Sequence, residues 1–316
     1  MSLCFQPFNY ASNINCCVSK HTSQSQGMKN PSLLKIPIPI ENPNPADISS
    51  TSFFNKSSLL NGIGIIGGIS TDSSLNFAKK LKKLQLVEEG SSLSLPFILC
   101  SDPALSKELS SFDRSSSPFF SAKNGRAAAD CSSIVENLRR KRAFLEKSGV
   151  CCVVMPCHIS HSWHDQIEEG CSVPFLHVGE CVANELKEAK LKPLEAGSPL
   201  RIGVLATNEA LVPTIYQQEL EKEGFEVVLL DKATVEHTVI PAVEALNRKD
   251  LEGAQNLFKI ALQVLLVRAV NRVILASDYL DQLLPPEDPL WRKCIDPMDA
   301  LARSSIKYAR SAGTGK

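Results

Sequence analysis

The sequence predicts an α/β fold made of two pseudo-symmetric, doubly wound parallel-sheet domains with a cleft between them. Three observations carry this expectation. From Asn61 onward, short β-branched runs alternate with segments of helical periodicity, the pattern of strands joined by crossover helices. Strand residues also recur in order. Val153, Val154, Met155 and Cys157 fall on Val273, Ile274, Leu275 and Ser277 at one constant shift, after which VPFLHV falls on KCIDPM. Ile63, Gly64, Ile65 and Ile66 fall likewise on Ile202, Gly203, Val204 and Leu205. Between the repeats, residues 191–200 (LKPLEAGSPL) hold Pro193, Gly197 and Pro199 and read as a linker.

Taken in order, the expected strands are 62–66 (GIGII), 95–100 (LPFILC), 150–155 (VCCVVM), 173–177 (VPFLH), 201–206 (RIGVLA), 225–230 (FEVVLL) and 272–276 (RVILA). Each is a short, nearly continuous apolar run, as suits strands covered on both faces. CSSIVENLRRKRAFLEKSG and LEGAQNLFKIALQVLLVR place apolar residues at three- and four-residue spacing and read as helices. SSFDRSSSPFFSAKNG (110–125) reads as a Ser-rich loop long enough to serve as a lid. The expected organisation is a tail over 1–60, a first domain over 61–190, the linker over 191–200, a second domain over 201–298, and a C-terminal helix and tail over 299–316.

Composition narrows the function. The 316 residues carry no formal net charge, which argues against a nucleic-acid partner. No apolar run is long enough to cross a bilayer. Eleven cysteines, an odd number scattered through strand-like stretches, read as reduced thiols rather than a disulfide framework. Residues 1–40 lack Asp and Glu and are rich in Ser, Asn and Pro, and the first Arg of the chain is Arg114. Such a leader reads as a plastid transit peptide, the alternative being a disordered tail on a cytoplasmic protein.

Cys157 ends an apolar strand, after Pro156, where the chain turns toward a helix. Open parallel sheets place ligands beyond such strand ends, and a helix N-terminus there favours a thiolate. The competing reading is a buried inert thiol like Cys151 and Cys152. Ser277 occupies the matching point of the second repeat. Gly67 and Gly68, followed by Ser70 and Thr71, read as a strand-to-helix turn able to hold a carboxylate, or as a plain helix cap. The literal G-x-G-x-x-G at Gly62, Gly64 and Gly67 lies within a strand, so it lacks the context of a dinucleotide site. The terminal AGTGK has no strand before it and is not a phosphate loop. His158, His161 and His164, among neighbouring cysteines, read as residues of a helical turn rather than a metal site, since Cys151 and Cys152 would face opposite sides of a strand.

These strings resemble the aspartate/glutamate racemase superfamily from about Asn61 to the C-terminus. GIIGGIS (64–70) is similar to its G-G-M-S turn and MPCHISH (155–161) to its P-C-N-T-A-H motif. IGVLAT (202–207), VILASDYLDQLLPPED (273–288) and IDPMDALA (295–302) resemble later elements in order and spacing. The resemblance implies a cofactor-independent racemase or epimerase acting on aspartate, glutamate or a similar α-substituted carboxylate. It also implies two opposed proton-transfer groups between the lobes and a homodimer. On that basis Cys157, Ser277, Asp278 and His161 are the expected catalytic residues. Gly67, Gly68, Ser70, Asp102, His158 and Thr207 are the expected substrate-binding residues.

The sequence departs from the pattern where the chemistry lies. The second cysteine is Ser277, followed by Asp278 and Tyr279, and His158 and Ile159 replace Asn-Thr. A serine hydroxyl is a far weaker acid than a thiol, so symmetric two-thiol catalysis is not available. Three readings follow: a racemase in which Asp278 or His161 assists Ser277, one-sided chemistry by Cys157 such as decarboxylation or isomerisation, and carboxylate binding without turnover. All require an accessible Cys157 sulfur joined by a cavity to Ser277.

Overall fold

The computed structural model describes residues 61–88, 94–116, 131–194, 196–208, 212–278, 280, 283–285 and 287–314. The leader expected over 1–60, residues 117–125 of the expected loop, Tyr279 and the last two residues lie outside the described residues.

The first repeat runs β1 (Ile63–Ile66), α1 (Thr71–Glu88), β2 (Phe97–Cys100), α2 (Pro103–Ser116), α3 (Ser132–Lys147) and β3 (Cys152–Val154). A 3₁₀ turn (Ile159–Trp163), α4 (His164–Glu168) and α5 (Val178–Glu188) complete it. The second runs β4 (Arg201–Ala206), α6 (Val212–Lys222), β5 (Glu226–Leu229) and α7 (Lys232–Thr234). A π-helical turn (Val235–Val239) leads into α8 (Ile240–Asn247), then α9 (Leu251–Val267), β6 (Arg272–Ala276), a 3₁₀ turn (Pro289–Lys293), β7 (Cys294–Ile295) and α10 (Pro297–Thr314).

Both sheets are wholly parallel, ordered β2-β1-β3 and β5-β4-β6-β7. The sequence repeat matches β1 with β4 and β3 with β6, and the strand orders add the match of β2 with β5. Ile63, Ile65, Ile66, Val153, Val154, Ile202, Leu205, Val273 and Ile274 are all fully buried, which accounts for the unbroken apolar runs.

Two expectations are corrected. The strand expected over 173–177 is a single parallel bridge, Val153 to Phe175, flanked by hydrogen bonds from Val153 N to Pro174 O and from Leu176 N to Val153 O. Pro174 has no N–H to extend the ladder, and α5 begins at Val178. In the second repeat the equivalent segment, KCIDPM, does form a strand, β7.

The Ser-rich loop expected from residue 110 is helical through Ser116. Leu105 and Leu109 anchor α2 in the core, and Phe112 packs on Trp163 with ring centres 4.9 Å apart. Ser111, Ser115 and Ser116 donate their hydroxyls to carbonyls one turn back, while Ser110 donates to Ile69 O. Tertiary burial of one face overrides the weak helix propensity of serine.

The repeats are joined through one core. Ile202, Val204, Ala206, Tyr216 and Ile274 belong to the same buried cluster as the first sheet. The C-terminal α10 returns to the first repeat, packing on α1 and α5, burying Leu301 and Ile306 and pairing Arg303 with Glu185 at 2.7 Å. Both sets of strand C-termini therefore face a junction that this helix helps to close. Among the described residues no helix is long and apolar enough to cross a membrane.

Candidate active site

The turn after β1 lies directly on the chain after β3. Gly67 donates its N–H to Cys100 O at 2.8 Å, and a Cβ there would meet that oxygen at 2.9 Å. A Cβ on Gly68 would stand 2.2 Å from Cys157 Cβ and 2.8 Å from its sulfur, so only glycine permits this approach. Ser70 Oγ accepts the N–H of Ser73 at 2.9 Å and contacts Ser73 Oγ at 2.8 Å, capping α1.

The ends of β3 and β6 meet through a buried polar pair. His158 Nδ1 stands 2.8 Å from Asp278 Oδ1, with only 3% and 7% of the two side chains exposed. A carboxylate oxygen only accepts, so Nδ1 carries the donated proton. Nε2 is buried without a hydrogen-bond partner. With Nδ1 held by a carboxylate and Nε2 unpartnered, the pair has the arrangement in which a carboxylate orients a histidine for general-base work. Beside it, Thr207 donates its hydroxyl to Ser277 Oγ at 3.2 Å. Ser73, Lys80, His158, Ser277, Asp278 and Asp296 line a cavity of about 20 Å³, room for about one water molecule.

Cys157 differs from expectation in two respects. It is fully buried and is not among the residues that line that cavity with Ser277. Its thiol is pushed up to about 12, first by burial and then by the negative charge of Asp278, partly offset by hydrogen bonds from Ser160 and Ile69. The expected thiolate-stabilising helix is a five-residue 3₁₀ turn, too short to outweigh desolvation. In the native protein Cys157 is expected to resist alkylation at pH 8 while half-buried Cys100, Cys151 and Cys171 react first, read by peptide mass spectrometry. Early labelling of Cys157 would contradict this burial.

His161 is not part of the junction. Its Nε2 bonds Met155 O at 2.8 Å, and its ring stacks on His164 in a separate cavity of about 470 Å³. His161 and Ser277 line different cavities, so His161 is not placed to assist it. Asp102 caps α2 through Ala104 N at 2.9 Å and pairs with Lys141 at 2.7 Å, which holds its carboxyl at about 2. It too is absent from the cavity lining.

Three junction residues escaped sequence reasoning. Lys80 on α1 pairs with Asp296 and lies 3.3 Å from Asp299, both at the start of α10. Asp113 on α2 accepts from Asn208 Nδ2 of the second repeat at 2.9 Å, and burial together with the charge of Asp278 raises its carboxyl. Asp296 lies within IDPMDALA, a string already singled out. Lys80 and Asp113 look like ordinary polar positions of a helix and a Ser-rich segment, and no spacing marks them.

A two-lobed parallel α/β fold with a polar junction at its matched strand ends defines the class, and comparison with known proteins places the chain within it. The family model for Asp/Glu/Hydantoin racemase matches residues 66–304, and the chain belongs to that family. The broad specificity amino-acid racemase RacX of Bacillus subtilis (strain 168) is 32% identical over 87 residues. That match spans 28% of this chain and about a third (34%) of the relative's length. Among solved structures, an aspartate racemase homologue from Pyrococcus horikoshii OT3 superposes with a TM-score of 0.62 at 19% identity, covering 79% of this chain and 99% of that one. Picrophilus torridus aspartate racemase gives 0.57 at 19% identity, covering 80% and 94%. These likenesses show the fold.

Proposed function

We propose that this protein is an amino-acid racemase or epimerase that moves the α-proton of an acidic amino acid or a similar α-substituted carboxylate. The observation that carries this reading is the His158–Asp278 pair at the junction of the two strand ends. His158 Nε2 takes the α-proton as general base, and Asp278 holds Nδ1–H and stabilises the imidazolium that forms. Cys157, kept as a thiol by burial and by Asp278, is the proton donor that its position at the family's P-C motif implies. Ser277 and Thr207 are hydroxyl donors for a substrate carboxylate, and Lys80 is the nearby cation.

A 20 Å³ cavity holds a water molecule and not an amino acid, and Cys157 does not line it, so turnover requires the two repeats to separate and bring the Cys157 sulfur to the substrate. Lys80–Asp296, Asn208–Asp113 and His158–Asp278 are polar contacts that such opening rearranges, and His158–Asp278 re-forms over the bound substrate before the proton moves. A second reading, one-sided proton exchange without inversion, is favoured by Ser277, whose hydroxyl is a poor acid where a second thiol would stand.

The test is incubation of the full chain with each enantiomer of aspartate and glutamate in D₂O, with α-proton exchange followed by NMR beside chiral chromatography. Exchange with inversion is expected. Exchange with retention supports the one-sided reading, and ligand binding with no exchange overturns both in favour of a carboxylate-binding protein.

A further inference from the structure

Outside the junction, three imidazoles gather at the 470 Å³ cavity formed by the 3₁₀ turn, α4 and the faces of α5 and α6. His161 and His164 stack with ring centres 5.6 Å apart, and His177 meets them edge-on at 5.2 and 4.7 Å. The rings of His161 and His164 are pinned from behind: His161 Nε2 bonds Met155 O at 2.8 Å and His164 Nε2 bonds Phe175 O at 3.1 Å. A carbonyl oxygen only accepts, so each Nε2 carries a proton and Nδ1 is the ring nitrogen of each that no backbone carbonyl holds. Backbone carbonyls hold metal-ligating histidines in this tautomer in the same way.

His161, 3% exposed, has no hydrogen-bond partner at Nδ1, and neither has the buried Nδ1 of His177. Buried polar atoms are normally satisfied, so unpartnered lone pairs lining one cavity ask for a donor or a cation. Two carboxylates stand at its mouth. His164 Nδ1 lies 3.8 Å from Asp165 Oδ1 and 3.6 Å from Glu168 Oε2, with Asp165 fully and Glu168 half exposed and free to turn.

We propose that His164 Nδ1, Asp165 and Glu168 form a binding site for a first-row divalent transition-metal cation of the zinc type, in the cavity that His161 and His177 also line. Among the described residues these three are the one group whose ligand atoms lie mutually within 4.8 Å. Bonds of about 2.0–2.2 Å to a shared ion bring neighbouring ligand atoms to roughly 3–3.5 Å of one another, a small closure from the distances seen. One imidazole nitrogen with two carboxylates suits zinc and its neighbours, whereas magnesium and calcium favour all-oxygen sets. His177 is the nearest further nitrogen ligand, and water fills the remaining positions. None of these residues lines the His158–Asp278 junction, so the site stands or falls apart from the proposed reaction.

The experiment titrates chelator-stripped full-length protein with ZnCl₂ by calorimetry and with CoCl₂ by visible absorption, its accessible thiols first blocked by alkylation under native conditions. One equivalent of Zn²⁺ and a Co²⁺ d–d band without sulfur charge transfer are expected. Glu168→Gln, at a half-exposed position that spares folding, and His164→Gln should each weaken binding about 10-fold or more, and excess Mg²⁺ should not compete. Absence of stoichiometric binding, equal affinity in Glu168→Gln, or displacement by Mg²⁺ would overturn the site.

Discussion

Asp278→Asn is expected to slow α-proton exchange by about 10²–10⁴-fold while leaving the thermal midpoint nearly unchanged. The substitution preserves size and one oxygen, so the buried contact with His158 survives. What changes is the proton. An amide that turns its NH₂ toward His158 Nδ1 forces the ring proton onto Nε2, removing the lone pair that would take the α-proton. An amide that keeps its oxygen there no longer neutralises the imidazolium that forms. Both outcomes act on the transition state rather than on folding, so kcat/KM should fall with little change in the melting curve. His158→Gln should lose a comparable factor, and the double variant should be no slower than either single one, because the two residues act as a unit. Exchange by Asp278→Asn at the wild-type rate would remove His158–Asp278 from the reaction.

Gly68→Ala should destabilise the fold by about 1–3 kcal/mol or more, seen as a lower urea midpoint, because the added methyl overlaps atoms that cannot swing aside. Its Cβ would lie 2.2 Å from Cys157 Cβ, and a Cβ is fixed by the backbone whatever rotamer the side chain adopts. Cys157→Ala therefore cannot relieve the clash. Cys157→Gly can, so Gly68→Ala combined with Cys157→Gly should be more stable than the sum of the two single costs predicts, by more than the roughly 0.5 kcal/mol expected for independent sites. Additive costs, or an unshifted midpoint in Gly68→Ala alone, would show that the turn does not rest on Cys157.

Much of this protein was legible before folding. Apolar runs and their recurrence are local signals, so the seven segments read as strands yielded six strands and one bridge, and the repeat correctly set KCIDPM opposite VPFLHV. His158 and Asp278 were both singled out, but for separate roles. That they bond is a property of two chain ends brought together by parallel sheets, and no spacing rule announces it. The loop expected over 110–125 failed across 110–116, because serine composition speaks for a free chain, whereas Leu105, Leu109 and Phe112 had a core to pack against. Lys80 and Asp113 were invisible because a polar helix position reads the same whether it faces water or a second lobe.

The chain alone determined the architecture: parallel strands and twin repeats, with Cys157 and Ser277 just past the ends of β3 and β6, since hydrophobic periodicity and turn residues act over a few neighbours. Only the tertiary structure decided which groups meet there. Burial under the Gly68 turn raises the Cys157 thiol, and a carboxylate 120 positions from His158 bonds its ring, because desolvation, Coulomb interaction and hydrogen bonding depend on distance in space, which the order of residues does not contain.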